Sequence, residues 1–237
     1  MDPLAEVYFE SSPYNYVANN PLAFYDPDGK DIYHLDKNTG DIMLVEENDD
    51  ETDQIVNARK NRKTGEYEVR RNKKGEIRKS SIKVNNIEKG ILKDEINFQE
   101  NSYVIEVGDD GQPSKEGVEA FALELSNYVN KEIQGGNLSK IDEDNISYVF
   151  IGRYKNNKAT KGSFGINLSA ANRPDLKINE NVKPREQWHT HLSRFNDESR
   201  LRPSKSDLER RDEVQRKHPD IRFKIITSPH NVDFTNY

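Results

Sequence analysis

The chain has 237 residues, 32% of them hydrophobic and 33% charged, with nine Phe, eleven Tyr and a formal net charge of -6. These values predict a thin-cored, well-solvated fold of one large or two small domains, and the acidic charge disfavours a general nucleic-acid binder. The absence of cysteine excludes disulfides and thiolate zinc sites, leaving His, Asp and Glu as metal ligands. We expect a soluble chain, because it has no apolar run of membrane-spanning length and no signal-peptide pattern.

Residues 1–31 are dense in Pro, Asn, Asp and Tyr, which predicts turns and short extended pieces in a linker. The run MDPLAE followed by SPYNYVANNPLAFYDPDG resembles the end of the conserved core of bacterial Rhs/YD-repeat proteins. The resemblance implies a tail that closes a large β-cage and precedes a variable C-terminal toxin, so we expect a fragment of a larger delivered protein in which Met1 is not the natural start. The matching positions are Tyr14, Tyr16, Asn19, Asn20, Pro21, Asp26, Pro27 and Gly29.

Residues 32–110 contain recurrent turn signals, which are DKNTGD, RKTGE and NKKGE. Each places a glycine after polar residues and between short β-prone runs, which predicts β-hairpins arranged as a meander. We interpret the neighbouring acidic and basic runs as solvated loops and edge strands. This pre-toxin region is expected to carry no chemistry.

Residues 111–237 alternate helical and extended patterns and predict an α+β domain with α/β-like character. The first helix is VEAFALELSNYVN, whose apolar residues form one stripe, and the second is SKSDLERRDEVQRKH, which ends before Pro219. The predicted strands are ISYVFIGRY, GSFGINLS, REQWHTH and a final buried IRFKIIT.

The segment REQWHTH places two histidines two residues apart. If it is extended, His189 and His191 point to the same face while Thr190 points to the other. This arrangement can chelate a metal, although two polar residues at a strand end have the same pattern. Ser204 and Asp207 follow in a Pro-Ser-x-x-Asp sequence, which predicts a helix capping box and puts both side chains on one face of the helix.

Taken together, HxH, a loop, P-S-x-x-D, a helix and a buried strand resemble the JAMM motif of JAB/MPN-domain metallopeptidases. The resemblance implies a JAB/MPN-like mixed sheet with flanking helices and one Zn²⁺ held by His189, His191 and Asp207. It also implies that Ser204 hydrogen-bonds the developing oxyanion. The spacer LSRFNDESRLRP is longer than the family usually has, and the proline that often follows the second histidine is missing.

The resemblance also requires a glutamate just after the first helix, for which Glu132 is the leading candidate and Gly135 matches a frequent family glycine. Spacing of four residues from Tyr128 makes Glu132 an extension of the apolar stripe, and partial burial of a carboxylate suits it to proton transfer near neutral pH. The alternatives are the other nearby glutamates, which are Glu119, Glu124 and Glu186.

Three functions follow from these patterns. The leading hypothesis is a zinc peptidase or isopeptidase that is the C-terminal toxin of an Rhs-type secreted protein, acting on a protein or peptide in the cytoplasm of a target cell. A cognate immunity protein and the Rhs cage of the parent are then its expected partners. A metal-dependent nuclease is the second hypothesis, because the second helix is basic, and a metal-free binding module is the third. The basic residues are Arg210, Arg211, Arg216 and Lys217, and we interpret His34, His218 and His230 as surface residues.

Overall fold

A computed structural model describes residues 31–47, 51–93, 96–100, 102–108, 111–154, 172–173, 178–193, 201–228 and 230–237. All but the last residue of the Rhs-like tail lies outside these ranges, as do the predicted strand GSFGINLS and much of the spacer before the second helix. Neither helix in the described part of the chain is long and apolar enough to cross a membrane.

The described residues form an α+β fold with two helices and a larger set of strands. The helices are α1 (Lys115–Val129) and α2 (Lys205–Gln215). The strands are β1 (Asp31–Leu35), β2 (Ile42–Glu46), β3 (Thr52–Val56), β4 (Arg59–Lys60), β5 (Tyr67–Glu68), β6 (Ile82–Glu88), β7 (Tyr103–Glu106), β8 (Gln134–Lys140), β9 (Tyr148–Ile151), β10 (Asn172–Arg173), β11 (Ile178–Thr190), β12 (Arg222–Ile226) and β13 (Val232–Asp233).

The first sheet has the strand order β2-β1-β3-β6 and corrects the prediction of a simple meander. β1 and β2 form the predicted hairpin around Gly40, whose φ of 83° suits glycine, but β3 crosses over and pairs parallel to β1. β1 is therefore central, and four of its five residues are buried. The apolar residues of β1 explain its central position, because side chains on both faces of the strand are buried there.

His34 lies in this central strand and is buried, so its interpretation as a surface residue was wrong. The backbone N–H of Ala58 donates to His34 Nδ1 at 3.3 Å, and the imidazole packs on the Tyr67 ring at 4.8 Å between centroids. The prediction for His230 is confirmed, since it is exposed, whereas His218 is half-buried.

The second sheet has seven strands in the order β13-β12-β11-β8-β9-β7, with β10 beside β11. β11 and β12 pair parallel and the other neighbours pair antiparallel, so the sheet is mixed. β8 was not predicted, because its Gly-Gly pair is typical of a turn. Gly135 is required there, since a Cβ at this position would lie 2.2 Å from the Trp188 ring.

The two helices cover opposite faces of the second sheet. Lys224 points toward α1 and contacts Glu119 of that helix at 2.7 Å. Its neighbours in β12, Phe223 and Ile225, point the other way and share a cluster with Val214 of α2. The alternation of β12 side chains therefore separates an α1 face from an α2 face.

One hydrophobic cluster connects the two sheets through α1. It includes Leu35 and Ile55 of the first sheet, Phe121 and Leu125 of α1, and Trp188 of β11. β7 precedes the predicted boundary at residue 110, yet it is hydrogen-bonded to β9 in the second sheet. The division of the chain into domains of residues 32–110 and 111–237 thus stays a prediction. Two such domains would share one hydrophobic core.

Candidate metal centre

The histidine pair lies at the carboxyl end of β11. Thr190 between them is buried toward α1, where its hydroxyl donates to Ser126 Oγ at 2.7 Å and accepts from Ile133 N at 2.9 Å. Because strand side chains alternate, His189 and His191 lie on the α2 face. The two rings are 4.8 Å apart between centroids, and their Nε2 atoms are 3.0 Å apart.

Asp207 reaches the same point from the first turn of α2. Ser204 is the N-cap of this helix, and the predicted capping box is present: Ser204 Oγ accepts from Asp207 N at 3.3 Å, and Asp207 Oδ2 accepts from Ser204 N at 2.7 Å. The same Oδ2 atom lies 3.7 Å from Nε2 of His189. The cap fixes the carboxylate orientation, and the same oxygen would serve both helix capping and metal binding.

His189, His191 and Asp207 could hold a metal ion, since one ligand atom from each lies within 4.8 Å of the others. Two ligands of one tetrahedral zinc with bonds of about 2.0–2.1 Å lie about 3.3 Å apart. The separations of 3.0 Å and 3.7 Å from His189 Nε2 are close to this value, whereas the three ligand atoms as a set lie within 4.8 Å of one another. Binding of one ion would therefore require the more widely spaced ligand atoms to move closer together. The residues therefore fit a metal with two nitrogen ligands and one oxygen ligand.

The electrostatics of the site favour metal binding. Burial lowers the pKa of His189 to about 4; His191 acts in the same direction, whereas Asp207 raises it. Burial raises the pKa of Asp207, but the nearby histidines and the hydrogen bonds with Ser204 outweigh this effect and hold it below its usual value. At neutral pH, His189 is thus uncharged and Asp207 ionised, as metal ligation requires.

Glu132 lies in the connection between α1 and β8 and is half-buried. The expectation that it extends the helical stripe was wrong, because α1 ends at Val129 and Asn130 is left-handed with a φ of 60°. Thr190 N donates to Ile133 O at 2.8 Å, which continues the β8–β11 pairing by one residue. Glu132 itself lies just outside β8, two residues before Gln134, which pairs with His189.

The alternative glutamates lie elsewhere. Glu119 and Glu186 are buried on the α1 face, where Lys224 Nζ contacts them at 2.7 and 3.5 Å. Asn137 Nδ2 donates to both carboxylates. Glu124 is an exposed residue of α1. Of the four glutamates considered, Glu132 is thus the one that lies two residues before the residue paired with His189.

Ser204 is exposed, and its hydroxyl also contacts Ser206 Oγ at 2.8 Å. A serine hydroxyl has one hydrogen and two lone pairs. Because Ser204 Oγ accepts from Asp207 N, its hydrogen can be donated to a ligand when Ser206 is the donor of the pair. The capping role is present in the geometry, and this hydrogen is the one that an oxyanion role would use.

An open pocket adjoins the candidate metal ligands. The sequence reasoning missed two of its polar residues, Gln134 and Gln187. Gln187 is 6% exposed, and neither its Nε2 nor its Oε1 has a hydrogen-bond partner among the described residues; the same is true of Gln134 Oε1. Because strand side chains alternate, the position of Gln187 two residues before His189 could have identified it as a residue on the histidine face. The pocket is lined by Gln134, Gln187, Trp188, His189, Asp207, Arg210, Phe223 and Phe234.

Two of the basic residues considered for nucleic-acid binding, Arg210 and Arg211, are engaged within the protein, whereas Arg216 and Lys217 are exposed. Arg211 Nη1 donates to the backbone carbonyls of Phe234 and Tyr237 at 3.1 and 3.0 Å, and Arg210 pairs with Glu213 at 2.9 Å. These arginines hold the C-terminal tail and neutralise helix carboxylates. Such contacts reduce the basic surface available for nucleic-acid phosphates.

No family model, curated protein or solved structure matches this chain. The candidate site is therefore defined by its own geometry.

Proposed function

We propose that this protein is a zinc-dependent hydrolase of JAMM type that cuts amide or isopeptide bonds. The observation that carries the proposal is the convergence of His189 and His191 from β11 with Asp207 from α2, beside an open pocket. Three protein ligands with room for a further ligand are typical of catalytic zinc sites, whereas structural sites are closed by four. The nitrogen and oxygen ligands suit zinc in a protein that has no cysteine.

Bound zinc would supply a Lewis acid and lower the pKa of a coordinated water to about 7. The chain's own residues would move the protons. Glu132, in the connection that leads into β8, would accept a proton from the attacking water on its carboxylate and pass it to the nitrogen of the leaving amine. Ser204 donates its hydroxyl hydrogen to the oxyanion that develops on the scissile carbonyl. Asp207, held by its capping contacts, keeps the ligand set rigid.

A JAB/MPN-like arrangement of the second sheet is part of this proposal. It is supported by a mixed sheet with one helix on each face, and by the position of the HxH at a strand end followed by the capped helix. The role as the C-terminal toxin of an Rhs-type protein rests on the resemblance of the first thirty residues. A protein or peptide in the target-cell cytoplasm is then the substrate, with an immunity protein and the Rhs cage as partners.

Expression in a susceptible bacterial cytoplasm tests the proposal. We expect the parent chain to arrest growth while cellular DNA and RNA stay intact, and His191→Ala to be harmless at equal protein levels. His230→Ala is the matched control, because His230 is exposed and is not one of the three metal-ligand candidates. Growth arrest that persists in His191→Ala, or that coincides with nucleic-acid degradation, would contradict a zinc peptidase.

A further inference from the structure

The pocket beside the metal ligands contains a buried carboxamide whose hydrogen-bonding atoms are both unpaired. Gln187 faces the same side of β11 as His189, two residues along the strand, and is 6% exposed. Its Nε2 and Oε1 have no hydrogen-bond partner within the described residues. Buried polar groups without partners cost free energy, so such a group at a pocket wall indicates a ligand that satisfies it.

The unpaired atoms define a hydrogen-bonding pattern. On one edge of its carboxamide, Gln187 offers an N–H donor from Nε2 beside the acceptor Oε1, and this holds for either orientation of the amide. Gln134 Oε1 lines the same pocket and is also unpaired among the described residues. A complementary ligand group therefore needs one acceptor and two donors within a short distance.

A primary carboxamide has this complement. Its carbonyl oxygen and one N–H lie on the same edge, so it can form two parallel hydrogen bonds with Gln187, and its second N–H remains for Gln134. A trans peptide group has its N–H and C=O on opposite edges and cannot pair with both atoms of Gln187. A carboxylate has only acceptors and would leave Gln187 Oε1 unsatisfied.

The remaining walls of the pocket agree with a side chain as the ligand. Phe223 and Phe234 pack at 5.7 Å between ring centroids and form an apolar surface for a methylene stem. Arg210 lies at the pocket, but its charge is paired with Glu213 at 2.9 Å. The pocket therefore favours a neutral group over an anionic one.

We propose that this pocket is a specificity subsite that binds the carboxamide side chain of a glutamine or asparagine in the protein substrate, with Gln187 as the specificity-determining residue. The role as a substrate subsite rests on the proposed hydrolase function. The carboxamide preference itself depends on the pocket alone, so it can be measured without catalysis.

Binding of small capped amino acids tests the inference on the full-length protein. The probe is N-acetyl-glutamine-N-methylamide, and the comparison probes are the corresponding methionine and glutamate derivatives and cytidine. Titrations followed by NMR at the side-chain amide signal of Gln187 give affinities with and without zinc. We expect the glutamine probe to bind at least about tenfold more tightly than the methionine and glutamate derivatives, because each of these two lacks part of the hydrogen-bond complement. Cytidine presents one acceptor and two donors on its N3/N4 edge, so it tests whether the pocket prefers a nucleobase to an amino-acid side chain.

Gln187→Met keeps the side-chain length but removes both hydrogen-bonding atoms, and its binding is followed by backbone amide signals around the pocket. We expect the tenfold preference to fall below about twofold. Gln215→Met is the matched control, since Gln215 lies on α2 with its amide bonded to Thr235 O at 3.2 Å, and it should keep the preference. Cooperative unfolding of Gln187→Met shows that the fold is retained; if it is lost, Gln134→Met provides the second variant, for which we expect a partial loss.

Equal binding of all probes, tighter binding of cytidine, or a preference that survives in both Gln187→Met and Gln134→Met would overturn the inference. These results are separate from the hydrolase proposal. Selective glutamine binding by a protein that does not take up zinc would support the subsite and contradict the metallopeptidase. Zinc uptake without selective glutamine binding would support the metallopeptidase and contradict the subsite.

Discussion

Oδ2 of Asp207 lies 3.7 Å from Nε2 of His189, so a helix-capping carboxylate and a strand-borne imidazole face the same point. The capping box orients the carboxylate, and the burial of Thr190 on the opposite side of β11 orients the imidazoles. Because each ligand is held by contacts unrelated to a metal, the site is pre-organised before any ion binds.

Substitution of Glu132 distinguishes a role in proton transfer from a role in the stability of the fold. Glu132→Gln should keep zinc and the fold while losing roughly 10²–10⁴-fold in activity, because the amide cannot accept the proton of the attacking water. Growth arrest in titrated expression is the measurement. Glu124→Gln is the matched control, since Glu124 is exposed on α1, and it should be as toxic as the parent. A toxic Glu132→Gln would assign the proton transfer to another group.

The buried carboxylates on the α1 face predict a stability effect that is independent of the metal. Lys224→Met leaves Glu119, which is 4% exposed, without the cation at 2.7 Å, whereas Glu186 keeps Arg222 at 2.6 Å. We expect a loss of roughly 3 kcal/mol in the free energy of unfolding, measured by urea denaturation of the metal-free protein.

The control for this substitution is Lys205→Met on α2. The Lys205 side chain is 91% exposed and lies 3.7 Å from Glu209, so its removal should change the unfolding midpoint little. Both variants should bind zinc as the parent does, because neither residue contributes a ligand. If Lys224→Met unfolds at the parent's urea concentration, the network does not stabilise the fold.

The pKa of His189 predicts how the stability of the metal-free protein depends on pH. In the unfolded chain this histidine takes up a proton near pH 6.5, whereas burial lowers the pKa in the folded site to about 4. The stability it contributes is therefore complete above pH 6.5 and is lost as the pH falls toward 4. The lowered pKa of Asp207 acts in the same direction.

Asp53 acts in the opposite direction, since burial raises its pKa to about 6 and its protonation favours the fold as the pH falls through that value. Asp53 is present in both the parent and His189→Gln, so its contribution cancels when the pH dependences of their stabilities are compared. Between pH 7 and pH 5, the EDTA-treated parent should lose roughly 1–2 kcal/mol more than the variant, by urea midpoints. Equal losses would show that His189 is readily protonated in the folded state.

Much of the second sheet and both helices could be predicted from local signals. Ser114 and Ser204 cap the helices, and the apolar stripe of α1 is buried against the sheets. β8 could not be predicted, because Gly135 and Gly136 resemble a turn, and the reason for Gly135 is the Trp188 ring more than fifty positions later in the chain. Propensity scales do not include such long-range contacts.

The candidate site, like the fold, could be predicted only in part from the sequence. The alternation of β11 predicts that His189 and His191 share a face, but the approach of Asp207 depends on how α2 packs on β12, which no local pattern encodes. The parallel pairing of β1 and β3 likewise depends on long-range contacts and could not be predicted from local sequence. Gln187 carries no motif, and its significance comes from the absence of partners for its amide in the described structure.

Zinc binding by His189, His191 and Asp207 is tested most directly by the metal content of the purified protein after dialysis. We predict about one zinc per chain in the parent and in Ser204→Ala, which loses a cap contact worth about 1 kcal/mol but no ligand. Asp207→Asn and His189→Ala should weaken zinc binding by more than the roughly 10–100-fold typical of outer-shell changes. A His189→Ala protein that retains as much zinc as the parent would contradict the account.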